Sequence, residues 1–416
     1  MLVRYQRMQV AFAMSLRFLT ILICAWPFAL HAAPPLAVAP HLESLPTFVP
    51  LELKNGKWLV KGEETDDQTV MVVSHSSRAY ATIEAFGEDL TLPVTLQFRD
   101  GESGQILDTI EIPIGTTAAT LRTIPLVASR ILVRTAGPPA SGGQVTISRV
   151  LVPKPSAGVP HGFTESITPV ISYRGTIDPN LRALFDAATS VALLQISKPR
   201  ETVACTAFLV AQDALATAGH CVRILMPSGT TPDWQNAPCA MIGVLFDFLD
   251  ASNGSGARAA HCQAIKILPK SDALVELSDL DALTLDMGDV AVLRVDPAAA
   301  RRPDGGTRQP LLLKDLRNKS LASVVSYPQG DIEGVASNCE VYGNIREALV
   351  LHRCSTAPGS SGAPVMELTG AGWQVVGLHV CCDGGPIDGF TWATVINAGR
   401  RINLALRPSL IADLLR

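Results

Sequence analysis

The sequence predicts an all-β protein, and three observations carry that expectation. Between Leu51 and Val152, short apolar runs recur at every second position and are separated by turn residues, the period of half-buried strands. Strand-like runs return in the second half at Val191–Ile196, Phe208–Val210, Ala214–Ala218 and Val290–Leu293. Helical patterning is confined to two short stretches, 178–188 and Ser409–Leu415. A chain of 416 residues with 47% hydrophobic content has room for two domains, each with its own core.

Taken in order, residues 1–33 read as a secretory signal. Arg4, Arg7 and Arg17 precede an apolar run from Phe18 to Leu30 that is short for a bilayer, and the small residues Ala32 and Ala33 follow. No later segment is long and apolar enough to span, so no stable membrane span is expected after its removal. Residues 34–47 are Pro- and Ala-rich and read as a loose leader. Residues 48–153 form a small β-sandwich-like domain. Leu92, Val94, Leu96 and Phe98 alternate before a turn at Arg99-Asp100-Gly101. Ile110, Ile112 and Ile114 alternate before Gly115, and Ile131 with Val133 and Val145 with Ile147 follow the same rule. This domain has no cysteine and no catalytic-looking cluster, and three roles stay open: an accessory module for an unknown partner, a pro-domain that assists folding, or a spacer. Residues 154–189 are a linker ending in one short helix, with Asp178 as N-cap and Pro179 in its first turn. The second domain runs over 190–416.

Charge and cysteines narrow the function classes. The formal net charge of −4, without a Lys/Arg-rich run, argues against a nucleic-acid partner. Removing the signal takes Cys24 with it and leaves eight cysteines, all between Cys205 and Cys382. An even set in an exported chain reads as disulfides and a secreted or periplasmic location. No Cys-x-x-Cys meets a second Cys or His cluster, so no metal site is expected.

Three segments carry chemistry. In Ala357-Pro-Gly-Ser-Ser-Gly-Ala-Pro364, Ser361 lies among glycines that let the amides of Gly359 and Ser361 converge where a tetrahedral oxyanion forms. A serine hydroxyl needs an imidazole to take its proton, and the imidazole needs a carboxylate to fix its tautomer. His220, in Thr217-Ala-Gly-His-Cys221, supplies the first, and Asp289, leading into Val290-Ala-Val-Leu293, supplies the second. Asp279, Asp281 and Asp286 lead into no such strand and read as solvated loop residues.

The order His, Asp, Ser in these three contexts resembles the chymotrypsin-like serine peptidases, and in particular their bacterial glutamyl-endopeptidase branch. The resemblance covers the second half of the chain only. It implies a double β-barrel of trypsin/chymotrypsin type, acyl transfer to Ser361, no metal or organic cofactor, and a protein or peptide substrate. It favours Ser361 over Ser360, because the family's serine is followed by Gly, a small residue and Pro, as in Gly362-Ala-Pro364. Ser360 replaces the aspartate that, in trypsin, pairs with a freed N-terminal amine, so that activation switch is missing. Cys205 with Cys221 would hold the His220 loop, and Cys339 with Cys354 the hairpin entering the nucleophile loop; Cys239 with Cys262 is the next pair. Ser355 stands where trypsin-like enzymes carry an acidic specificity residue, which removes the basis for an Arg or Lys preference. Thr356 and His379 match the two residues that glutamyl endopeptidases use to grip a substrate carboxylate. The adjacent Cys381-Cys382 departs from the glycines usual there and reads either as a vicinal disulfide or as two half-cystines with other partners. His261 and His352 flank cysteines and read as structural or exposed. The rival reading is a binding protein on the same fold that has lost turnover.

Overall fold

The computed structural model describes residues 37–38, 42–45, 47–55, 57–65, 69–74, 80–117, 120–136, 142–153, 167–197, 202–225, 233–236, 239, 241–249, 257–269, 272–277, 281–286, 288–302, 304–316, 319–345, 349–381 and 403–416. The expected signal segment, Asp279 and Cys382 lie outside the described residues.

Residues 51–153 build two antiparallel sheets around their own apolar cluster. One sheet centres on Gln144–Pro153 between Thr82–Glu88 and Leu51–Lys54; the other runs Thr69–Ser74, Arg130–Ala136, Val94–Asp100, Ile106–Ile112. The period-two pattern is the cause. Leu96, Phe98, Ile110, Ile112, Ile131, Val133, Val145 and Ile147 all point inward and are buried. Leu92 and Ile114 depart from the alternation expected for them. The strands begin at Val94 and end at Ile112, and both outlying side chains are exposed beside the bridge between Leu90 and Gly115. The fully buried Glu84 is neutralised by Arg122 at 2.7 Å and Arg149 at 2.6 Å, which is what lets a carboxylate stay inside a sheet.

The leader is not loose throughout. Ala37–Val38 pairs with Val203 and Ala204, and Leu42–Ser44 pairs with Leu151–Pro153, because each finds an open strand edge. The short helix forms at Pro179–Ala188, with the Asp178 carboxylate accepting from the amides of Asn180 (2.8 Å) and Leu181 (3.3 Å).

Two closed six-stranded antiparallel barrels follow. The first runs in a ring through Val191–Ser197, Thr202–Ala211, Ala214–Ala218, Val290–Val295, Arg258–Ile267 and Ile242–Phe246. The second runs through Ser320–Ser326, Gly334–Ile345, Leu349–His352, Asn403–Leu406, Gly372–Cys381 and Pro364–Thr369. Helix Ser409–Leu415 closes the chain. Asp281–Asp286 is a strand paired with Asp272–Leu277, so the backbone at Asp281 and Asp286 is hairpin rather than loop.

The N-terminal sandwich packs on the first barrel. Tyr80 joins the barrel's core, accepts a hydrogen bond from Gln195 and meets Phe248 edge-on at 5.5 Å. Arg122 reaches Thr202 at 2.6 Å. Pro125 lies so close to Gly243 that a Cβ there would sit 2.1 Å from its ring.

Past the end of Ile242–Phe246, the first barrel meets the segment that leads into Gly334–Ile345. Glu333 donates its amide to the Phe248 carbonyl (3.0 Å) and its carbonyl accepts from Val170 (3.0 Å), while its carboxyl is buried and Oε1 has no partner among the described residues. Burial pushes that carboxyl well above its ordinary range, the charge of Asp247 adds to the rise, and Arg308 offsets part of it.

Candidate active site

The hairpin of Thr202–Ala211 and Ala214–Ala218 ends in a helical turn, Gly219–Arg223, which presents His220. The disulfide Cys205–Cys221 ties that turn to the first strand of the hairpin. Asp289 stands immediately before Val290–Val295, the strand that pairs with Ala214–Ala218, so the register brings Ala218 opposite Val290 and His220 onto Asp289. One carboxylate then holds the histidine twice. Oδ1 accepts from the His220 amide at 2.5 Å and Oδ2 meets Nδ1 at 2.7 Å. Burial raises the Asp289 carboxyl, but the His220 charge and these two bonds, with Arg223 beyond, outweigh it and leave it below the ordinary carboxylate range. With Nδ1 committed to Asp289, Nε2 is the outward nitrogen, and it is buried without a hydrogen-bond partner among the described residues.

The loop that carries Ser361 leads directly into Pro364–Thr369, a strand of the other barrel. It is stitched to the His220 side by the Thr206 amide, which donates to the Ser361 carbonyl at 2.8 Å. Cys221 Sγ lies 3.9 Å from that same oxygen. Gly362 has φ +87°, and a Cβ would come within 2.1 Å of the Thr206 carbonyl, so only glycine permits this approach.

Backbone bonds set the directions of the two amides. The Pro358 carbonyl accepts from the Gln329 amide at 2.5 Å, in the turn Pro328–Gly330. A trans peptide points its C=O and N–H opposite ways, so the Gly359 N–H is turned away from that turn. The Ser360 carbonyl likewise accepts from Ala363 at 2.9 Å, which turns out the Ser361 N–H. Neither amide has an acceptor among the described residues. Ser360 itself is fully buried, its hydroxyl donating to Ser326 at 3.0 Å and accepting from the Ala357 amide at 3.2 Å. Its hydroxyl is consumed by structure, and that of the half-buried Ser361 is not.

Cys339–Cys354 closes the hairpin of Gly334–Ile345 and Leu349–His352 just ahead of this loop, and Cys239–Cys262 bridges the first barrel. Cys205, His220 and Cys221 form the one metal-like cluster among the described residues, but its two sulfurs are a disulfide and offer no thiolate. Ser355 is half-buried, and Thr356 holds its hydroxyl buried with no partner among the described residues. His379 is buried in the strand Gly372–Cys381; its amide donates to Ala363 at 2.9 Å and its carbonyl accepts from Gly362 at 2.7 Å. The pairing of Cys381 with Cys382 falls outside the described residues.

His352, for which the sequence left a structural or an exposed place open, takes the structural one and meets His379. It is fully buried, and its Nε2 lies 3.1 Å from His379 Nδ1, the rings edge-to-face at 5.1 Å. Burial, with the charge of His379 behind it, drives its pKa well below the ordinary imidazole value, and the tautomer decides which of the two facing nitrogens donates. The signal available in the sequence was its place at the end of the continuous apolar run Leu349-Val-Leu351, all of it buried. His261, by contrast, is exposed.

Residues 205–378 match the family model of the trypsin-like peptidase domain, and the two closed barrels are the double barrel that goes with it. Among solved structures, a protease from M. tuberculosis in its active form is similar at 17% identity, over 62% of this chain and 93% of that one, with a TM-score of 0.35. A mutant of the same protein in an inactive form is similar at 15% identity, over 63% and 96%, with a TM-score of 0.32. No curated protein matches the chain.

Proposed function

We propose that a chain carrying this trypsin-like peptidase domain is an exported serine endopeptidase, with Ser361 as nucleophile, His220 as general base and Asp289 as its orienting carboxylate. The observation that carries the reading is the double hold of Asp289 on His220, which fixes one tautomer and leaves Nε2 for the nucleophile's proton. Ser361 Oγ bonds to the scissile carbonyl carbon as its proton passes to His220 Nε2. The oxygen's new negative charge is held by the amides of Gly359 and Ser361. Collapse breaks the C–N bond, and the leaving amine takes the proton from His220. Water then repeats the sequence and frees the acid, regenerating Ser361.

Substrates with Glu before the cut fit best. Thr356 offers a buried hydroxyl donor, and in the tautomer where His352 Nε2–H donates to His379 Nδ1, His379 keeps its Nε2–H for a carboxylate. Three disulfides suit an oxidising compartment, and no helix among the described residues is long and apolar enough to cross a membrane. The N-terminal sandwich is a retained accessory domain in this reading, since it shares core with the first barrel through Tyr80.

An organophosphonate tests the chemistry: it should label Ser361 in the folded protein and leave Ser361→Ala unlabelled. Failure to label a folded wild-type chain would favour a binder on the same fold. Paired peptides with Glu or Gln before the cut test the specificity, with faster cleavage expected after Glu and the difference reduced in His379→Ala. Equal rates would remove the glutamyl assignment and leave the peptidase standing.

A further inference from the structure

The Gly359 amide is aimed by a glycine, the residue least able to hold a direction unaided. Its φ of +97° lies where only glycine rests easily, and a Cβ would meet the Tyr327 carbonyl at 2.6 Å, so no side chain there can restrain it. Two successive peptides meet at this residue. The one before it is fixed through the Pro358 carbonyl by Gln329. The one after it is held at both ends: its N–H, that of Ser360, donates to the Ala357 carbonyl at 2.9 Å, and from the opposite barrel Thr206 Oγ1 donates to the Gly359 carbonyl at 2.8 Å. With both planes pinned, the glycine has no rotation left.

The Thr206 hydroxyl is itself fixed. It accepts from the Tyr327 amide at 3.1 Å, which directs its single proton to Gly359. Tyr327 heads the turn Pro328–Gly330 that supplies Gln329, so one hydroxyl joins the glycine to the turn that aims it. The backbone of Thr206 does the rest. Its amide bonds the Ser361 carbonyl at 2.8 Å, and its carbonyl accepts from the Thr217 hydroxyl at 2.7 Å, three residues before His220. Thr206 has no exposed surface and follows Cys205 directly, so the disulfide to Cys221 fixes its place.

We infer that Thr206 is the positioning residue of the oxyanion site: its hydroxyl, reaching across from the first barrel, holds the peptide after Gly359 so that the two amides point at one place. Ser360 makes no bond to Gly359 and cannot serve in this way. The inference rests on the serine peptidase reading and specifies what takes over the ordering of the loop in the absence of a buried aspartate beside the nucleophile.

The test uses the acylation burst of the full-length protein with p-nitrophenyl acetate and with its thiono analogue, in which the developing O⁻ is S⁻ and is held poorly by amides. Thr206→Val keeps the shape and removes the hydroxyl; Thr206→Ser keeps the hydroxyl and removes the methyl. Thr206→Val should acylate about 10- to 100-fold more slowly with the oxygen ester and nearly as before with the thiono ester, so the oxo/thiono ratio collapses. Thr206→Ser should keep the wild-type ratio. Wild-type rates in Thr206→Val, or equal slowing of both esters, would overturn the assignment. Should Thr206→Val not fold, Thr206→Ser decides: a lost ratio there also overturns it. A wild-type protein with no burst at all would instead count against the peptidase reading.

Discussion

At the scale of single residues, neighbouring serines have been given different work by burial. Ser360 spends its hydroxyl on Ser326 and Ala357, whereas Ser361 keeps its own available. Replacing Ser361, His220 or Asp289 by Ala should each lower turnover on the order of 10⁴- to 10⁶-fold, with double variants little worse than singles, as the proposed triad requires. Ser360→Ala should leave activity within about tenfold and cost about 1 kcal/mol of stability for the lost bond. Steady-state rates and urea midpoints check both. An active Ser361→Ala with a dead Ser360→Ala would reverse the assignment. Glu333 makes a second test. Its folded-state pKa is raised, so above its usual value of 4.5 the unfolded chain releases a proton that the folded chain keeps, and stability falls as pH rises from there toward the folded value. Glu333→Gln keeps the neutral shape, and its stability gain over wild type should therefore be larger at pH 8 than at pH 5. A gain independent of pH would mean that the carboxyl is ionised in the fold.

At the scale of elements, the sequence announces the sandwich more plainly than the barrels. Val94–Asp100 alternates buried and half-buried residues, as a sheet with one wet face must. Val191–Ser197 and Thr202–Ala211 are buried almost end to end, so they present continuous apolar runs whose pairing no period reveals. The candidate site was legible because its chemistry needs particular residues in particular local contexts: His220 before Cys221, Asp289 at a strand start, Ser361 among glycines. Thr206 and His352 were not, since one acts from the opposite barrel and the other through a partner 27 positions away. The same hairpins make the disulfides consequential. Reduction should inactivate the protein, because losing the link under His220 or the one before the nucleophile loop costs about 2–5 kcal/mol of local order. Thiol mapping alongside activity checks this, and full activity with Cys205 and Cys221 reduced would dismiss their role.

At the scale of the whole molecule, the sandwich and the barrels share core. The approach of Pro125 to Gly243 leaves no space for a methyl group, and Tyr80 is buried among barrel residues. Denaturation should accordingly show one cooperative transition for sandwich and first barrel together. Gly243→Ala should split or lower it, by about 1–3 kcal/mol for the forced contact. Two unchanged transitions would show that the sandwich folds independently of its neighbour. Closure has a further effect, on how molecules meet one another. A sheet rolled into a ring leaves few unsatisfied margins, and the one beside Val203 and Ala204 is taken by Ala37–Val38, so the two barrels are poor templates for fibrous stacking. The sandwich keeps open margins, and one of them is Glu63-Glu64-Thr65, three residues long with two exposed carboxylates. So short a rim, with Glu63 exposed and Glu64 held by Lys57 at 2.8 Å, sets charged side chains in the way of a second copy and guards that side of the protein when it is crowded with its own kind.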